Sequence, residues 1–291
     1  MLNHHILTGT ASRQIALFNA STTSQIQSYD AHAYAVLDLA VAPDNARFAS
    51  VGGDKQVFLW DVATARTLRR WTGHFGRVNC VAFGGEADRG EAGGVVVSGS
   101  FDSTIRIWDA RSQSTKPIQV LEEARDSVSC LQVVGHEICS GSVDGRVRVY
   151  DLRMGMVYVD VVGHPVTSLA LTRDGAALLV SSLDGCIRLL DKGSGKLLQS
   201  YSGHKNTEYR VRSGLAMNDA FVVSGSEDGQ VWVWDVVEGE VVTKVDVRAA
   251  EERAASSKDS KTVVVGALAL CEGRKEWACG ATDGTVQIWG E

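Results

Sequence analysis

The sequence lacks most features that mark other classes of protein. Its six cysteines (Cys80, Cys130, Cys139, Cys186, Cys271 and Cys279) contain no Cys-x-x-Cys pair, which argues against a zinc or dithiol centre. They read instead as small buried thiols of an intracellular protein. No apolar run reaches bilayer-spanning length. Positive charge is not in excess either. The formal net charge is −6, which disfavours broad attraction to nucleic acid or an anionic membrane. Gly52-Gly53 and Gly93-Gly94 lack the Lys-Ser/Thr or strand-helix context of a phosphate-cradling loop. The first five residues carry no basic region leading into an apolar stretch, so no secretory signal is expected. Nothing therefore implies a metal or another cofactor.

What is present is a repeat. Its best-formed copy is Val222–Asp235, two β-rich runs separated by Glu227-Asp228-Gly229. Val231, Trp232, Val233 and Trp234 are apolar on both faces, so this strand needs cover on both sides. The same pattern ends at positions 19, 61, 109, 151, 191, 235 and 290, at intervals of 42, 48, 42, 40, 44 and 55 residues. Seven places before each end stands Ser12, Asp54, Asp102, Asp144, Asp184, Asp228 or Asp283. Upstream, Gly-His recurs at 73–74, 163–164 and 203–204, with Ala31-His32 as a variant.

These marks resemble those of the WD-repeat family over the whole chain. The resemblance implies an all-β fold, a single seven-bladed WD-repeat β-propeller over residues 1–291, with four-stranded antiparallel blades. Both terminal blades are expected to be a strand short. Ile6–Thr10 and Gln14–Phe18 read as second and third strands, and Glu291 follows a third strand at once. An upstream extension of the natural chain, or a partner strand, would complete such a ring. The Gly84–Gly94 insertion reads as a solvated loop and residues 248–262 as a mobile one.

Ser, His and Asp together raise the question of a hydrolase. They come as recurring sets: His32, Ser50, Asp54 and Trp60; His74, Ser98, Asp102 and Trp108; His204, Ser224, Asp228 and Trp234. Active sites do not come in triplicate, so no catalytic residue is assigned. By resemblance to the family, Trp bonds Ser, Ser bonds His and His bonds the turn Asp, as structural tetrads. The one-per-blade acidic turns do not support paired-carboxylate catalysis.

The resemblance also implies a protein partner at the turns between second and third strands. Phe101, Val143 and Leu183 precede turn aspartates there and form a candidate patch, with partial burial as the alternative. Lys205, Asn206, Glu208, Tyr209 and Arg210 form a long loop at the same end, with Tyr and Arg as anchors. Arg125, Arg146 and Arg148 add a basic cluster.

Glu123-Ala124-Arg125-Asp126, Gly141–Arg148 and Tyr150–Gly155 are similar to the mitogen-activated protein kinase organizer proteins, as are Ser181–Asp184, Leu189–Lys192 and Gly203–Tyr209. This implies a non-enzymatic scaffold for signalling kinases, a prolyl hydroxylase of oxygen sensing, or spliceosomal proteins. It would be cytoplasmic and nuclear, and monomeric within larger assemblies. The alternative is a substrate receptor of a cullin-RING ubiquitin ligase. Trp108–Arg111 and Tyr150–Arg153 resemble the Trp-Asp-x-Arg box of such receptors, with Arg111 and Arg153 as adaptor contacts. Either arginine could equally pair with a neighbouring acid.

Overall fold

The computed structural model describes residues 5–84, 93–247, 263–270 and 276–289. Most of the Gly84–Gly94 insertion, all of 248–262, Cys271 and the last repeat mark at 290 lie outside these residues. The described residues form seven antiparallel sheets, each a consecutive meander. The fold class is all-β, with the blade-type sheets of a seven-bladed β-propeller. Sheets two to six have four strands, and sheets one and seven have three.

The chain divides into two compact units, Met1–Val159 and Asp160–Glu291. In the first unit, sheet one comprises His5–Gly9, Ile15–Asn19 and Gln25–Tyr29. Sheet two comprises Val36–Val41, Arg47–Gly52, Gln56–Asp61 and Thr67–Thr72. Sheet three comprises Val78–Gly84, Val95–Ser100, Ile105–Asp109 and Gln119–Leu121. Sheet four comprises Val128–Val134, Glu137–Ser142, Arg146–Asp151 and Met156–Val161, so the dividing point falls in its last strand. In the second unit, sheet five runs from Val166–Leu171 to Leu197–Ser202, sheet six from Ser213–Ala216 to Val241–Asp246, and sheet seven from Val265–Leu270 to Val286–Trp289.

The middle strands of sheets two, three and six are apolar on both faces because each of these sheets packs against a neighbour on either side. Val51, Val57, Leu59 and Trp71 of sheet two pack with Val78, Val81, Val96 and Trp108 of sheet three. Cys80, Val97 and Ile107 of sheet three pack with Leu131, Ile138 and Tyr150 of sheet four. In the second unit, Leu179, Leu189 and Tyr201 of sheet five pack with Val222 and Trp234 of sheet six. The core is thus a series of slabs between neighbouring sheets. Of the five described cysteines, Cys80, Cys130, Cys139 and Cys279 are buried and Cys186 is half-buried, none of them in a disulfide.

Two local devices tie neighbouring sheets together. The first strand of sheets two, three, four, five and seven slips register by one residue near its start. A bulge re-aims the extra side chain. At Asn79 it sends the amide nitrogen to Ser127 Oγ (2.9 Å) and to the Val128 carbonyl (2.8 Å) of the next sheet. The second device is a tyrosine on an outer strand. Tyr29 donates its hydroxyl to the Val62 carbonyl (2.9 Å), and Tyr201 to that of Val236 (2.7 Å).

The Asp that ends the third strand of sheets two to six has a local task. Asp61 Oδ1 accepts the Thr64 N–H (2.7 Å), Asp109 Oδ1 that of Arg111 (2.8 Å), and Asp235 Oδ1 those of Val237 and Glu238. The carboxylate caps the turn into the fourth strand, which is why this position is so regular in the repeat.

Candidate functional site at the turn ends of the sheets

The turn between second and third strands carries an aspartate in every repeat from the second to the seventh. Five described sheets, two to six, solve its electrostatics in three ways.

In sheets two and three a histidine does it. Trp60 Nε1 donates to Ser50 Oγ (2.8 Å), Ser50 Oγ meets His32 Nε2 (2.7 Å), and His32 Nδ1 meets Asp54 Oδ2 (2.7 Å). Trp108, Ser98, His74 and Asp102 repeat this chain at 2.8, 2.9 and 3.0 Å. An acceptor carboxylate at Nδ1 fixes the tautomer, leaving Nε2 to accept the serine hydroxyl. Ser50 and Ser98 are both 0% exposed, so no substrate reaches either hydroxyl. Burial lowers the pKa of His74 against the opposing pull of Asp102. Burial would raise that of Asp102, but bonds from His74 and Thr104 and the Phe75 N–H outweigh it and hold the carboxyl well below its ordinary value.

In sheets four and five an arginine replaces the histidine. Arg148 is 2% exposed; its Nη1 donates to Ser142 Oγ (2.7 Å) and its Nη2 to Asp144 Oδ2 (2.6 Å). Arg188 makes the same fork to Ser182 (2.7 Å) and Asp184 (2.5 Å). Burial would raise the pKa of each aspartate, but the arginine and serine bonds lower both to about 2. Arg148 is therefore no partner contact, which corrects the expectation drawn from the basic cluster. The spacing Ser-x-Asp-x-x-x-Arg, at 142–148 and at 182–188, is the signal that would have found this pair. His164, in the repeat where a His was present, stays 55% exposed and 4.0 Å from Asp184.

Sheet six departs from both. The expected set of His204, Ser224, Asp228 and Trp234 does not form. Ser224 donates to the Gly225 carbonyl (2.9 Å), Trp234 Nε1 donates to the Ser202 carbonyl (3.2 Å), and both ring nitrogens of His204 are buried without a partner. The cause lies one residue earlier. Glu227, which precedes the turn aspartate as Phe101, Val143 and Leu183 do in other repeats, is 3% exposed, and Asp228 turns outward instead. One Glu227 oxygen accepts the N–H groups of Thr207 (2.7 Å), Glu208 (2.7 Å) and Tyr209 (2.9 Å), and the other accepts the Thr207 hydroxyl (2.9 Å). Desolvation opposes its ionisation, but these donors lower its pKa to about 2. The insertion after Gly203-His204 is thereby a shaped loop. Asn206 is 0% exposed and donates to Thr167 Oγ1 and the Ser182 carbonyl, so it too is removed from the partner candidates. Tyr209 is 46% exposed; Lys205 and Glu208 are exposed and Arg210 half-buried.

On the first unit, Phe101 is 55% and Val143 39% exposed, with Arg125 exposed and Arg146 half-buried. Leu183, on the second unit, is half-buried. Phe75, which sequence patterning did not single out, is 81% exposed and gives its backbone N–H to Asp102, the residue after Phe101. Arg111 is 61% exposed with Nε 3.6 Å from Asp109 Oδ1, and the exposed Arg153 gives its backbone N–H to Asp151 Oδ1 (2.9 Å). His136, Glu137 and Asp151 of sheet four bring one nitrogen and two carboxylates within 4.8 Å of one another, the one set among the described residues that could ligate a cation. One Asp151 oxygen is already committed to backbone N–H groups of the following turn.

A family model described as WD domain, G-beta repeat matches residues 23–61, 65–109, 115–151, 156–191 and 195–235. The chain is similar to WD repeat domain-containing protein 83 of Rattus norvegicus, 53% identical over 47% of this chain and 44% of that protein. It is similar to the WD repeat domain-containing protein 83 homolog of Dictyostelium discoideum, 27% identical over 98% of this chain and 90% of that protein. Autophagy-related protein 16 of Arabidopsis thaliana is 29% identical over 82% of this chain and 46% of that protein. The chain thus spans less than half the length of the rat and Arabidopsis relatives in these matches.

Three outcomes follow from these networks. Asp102→Asn should lower unfolding free energy by about 1–3 kcal/mol, measured by urea denaturation, because it disrupts a buried hydrogen-bond chain. Arg148→Ala should cost more, about 3–5 kcal/mol, since it strands the largely buried Asp144 carboxylate; Arg188→Ala should cost less because its pair is more exposed. The third outcome concerns pH. Burial lowers the pKa of His204 from 6.5 to about 4, against the raising effects of Asp228, Asp184 and Glu227. The unfolded chain takes up that proton first as pH falls, so stability drops between the two values. Lowering the pH from about 7.5 to about 5 should cost wild type roughly 2 kcal/mol more than His204→Gln, by denaturation at each pH.

Proposed function

The chain belongs to the WD domain, G-beta repeat family, and from that premise we propose that it is a non-enzymatic adaptor that assembles protein complexes through the turn ends of its sheets. One observation carries this. The only Ser-His-Asp chains formed among the described residues are sealed, with Ser50 and Ser98 wholly buried, while the same ends of the sheets present Phe75, Phe101 and Tyr209 to solvent. Chemistry that needs access is inside, and side chains that suit protein contacts are outside.

The complexes we propose are a mitogen-activated protein kinase module, a pre-mRNA splicing complex, or both, so that the protein works in cytoplasm and nucleus. The similarity of residues 123–155 and 181–209 to the kinase organizer proteins supports this choice. So does the way Glu227 holds Tyr209 at the surface on three backbone bonds, because a preformed loop loses less entropy on binding.

The test is affinity purification with mass spectrometry from native cells. Wild type should recover kinase or spliceosomal proteins. Phe101→Ala and Tyr209→Ala should reduce at least one of these sets by about tenfold, the equivalent of one lost anchor, while leaving the melting temperature unchanged. Recovery of a cullin ligase adaptor that is lost with Arg111→Ala and Arg153→Ala, and no loss with the first two variants, would replace this proposal with the ligase-receptor alternative.

A further inference from the structure

Sheet three has an arginine left without its turn aspartate. Its Ser100, Asp102 and Arg106 keep the spacing of Ser142, Asp144 and Arg148, and of Ser182, Asp184 and Arg188. In sheets four and five that arginine neutralises the turn aspartate. In sheet three His74 already occupies Asp102, and Arg106 is displaced. Its guanidinium lies over the Phe75 ring, 5.8 Å from the centroid, with Nε buried and unpaired. Arg77, exposed, lies over the Phe101 ring at 5.1 Å. Neither arginine pairs with a carboxylate among the described residues. On a chain of net charge −6, two unneutralised cations seated on two exposed aromatic rings are a local reversal of sign.

The arrangement is also preformed. Asp102 Oδ2 accepts the Phe75 N–H (2.8 Å), and the Phe101 N–H donates to the Arg77 carbonyl (2.9 Å). Gly76 lies between the two, where an added Cβ would stand 2.9 Å from the Asp102 nitrogen and 3.1 Å from Phe101 Cβ. Arg125 and Val143 of sheet four belong to the adjoining turn end, which Asn79 ties to sheet three through Ser127. Arg125 has the acidic Glu123 and Asp126 close by in sequence and adds less.

We propose that this four-residue clamp, Phe75, Arg77, Phe101 and Arg106, captures an acidic peptide segment of a partner protein that carries an apolar or aromatic side chain. This rests on the adaptor function above and names the chemistry of what is bound. The carboxylates of such a segment face the two guanidinium groups, and its apolar residue packs between the Phe75 and Phe101 rings. The cation–aromatic contact seats each guanidinium over a ring, within reach of a carboxylate on the bound segment. Single-stranded RNA is disfavoured, because its successive phosphates would extend past two cations onto an acidic chain.

The experiment uses the purified full chain and fluorescence anisotropy. The probes are a short labelled peptide alternating glutamate with leucine and phenylalanine, its lysine counterpart, and labelled oligouridylate. The acidic peptide should bind saturably and more weakly as salt rises, and the lysine peptide should not. Arg77→Glu and Arg106→Glu should each weaken binding about tenfold or more, the equivalent of about 1.4 kcal/mol, and Phe75→Ser should do the same. Lys116→Glu, an exposed cation outside the clamp, should change nothing. Thermal melts confirm that each variant is folded, and Arg106→Gln serves if the charge reversal is not. Binding insensitive to Arg77→Glu and Phe75→Ser, no saturable peptide binding, or tighter binding of oligouridylate would each overturn the proposal. If the peptide fails while Phe101→Ala still loses partners in cells, the adaptor function stands and only the acidic chemistry falls.

Discussion

A carboxylate at the tip of a hairpin has to be supplied with hydrogen-bond donors, and most of this structure's individuality follows from how that is done. In sheets two to five the aspartate side chain is partly removed from water. Left alone, it would protonate or turn outward. His32 and His74 reach down from the preceding connection to Asp54 and Asp102. Arg148 and Arg188 reach across from the third strand to Asp144 and Asp184. In sheet six backbone N–H groups serve, but for Glu227, and Asp228 is released to solvent. The sheets share a backbone plan and differ in the counter-group.

The choice of counter-group sets what the surface above it looks like. A histidine draws the connecting loop down onto its sheet and leaves the third-strand arginine of sheet three unemployed, seated over Phe75. An arginine does the opposite: it consumes the cation and frees the loop, so that His164 remains exposed. A buried glutamate organises a longer loop and brings Tyr209 to the surface. Repeats that are near-equivalent as structural units therefore offer different chemistry to a partner, without any change in the strands.

Beneath this, the sheets hold to one another by apolar slabs and a few well-placed polar bonds. The slabs supply most of the driving force, since rings such as Trp60, Trp71, Trp108 and Trp234 are almost wholly buried. The bonds from Asn79, Tyr29 and Tyr201 supply register, because each joins one sheet to a single carbonyl of its neighbour. A repeat architecture needs both, as apolar faces alone tolerate sliding.

The sequence by itself determined the all-β class, the number of sheets, and strand positions such as Ile6–Thr10 and Gln14–Phe18, which fall within one residue of His5–Gly9 and Ile15–Asn19. Those depend on local periodicity and on the turn residues, which are written in adjacent positions. It also placed the two histidine sets that form. It did not distinguish them from the third set at His204, because the difference is a competition in space. The Glu227 side chain takes the backbone donors of a loop twenty residues upstream, and residue types at fixed spacing do not report which of two adjacent acids turns inward. Likewise Arg148 and Asn206 look like surface groups until burial is known, and nothing in the sequence marks Phe75 as exposed. Strand identity is a property of neighbours in the chain; the protonation, burial and partners of a polar side chain are decided by neighbours in space, and only the tertiary structure supplies those.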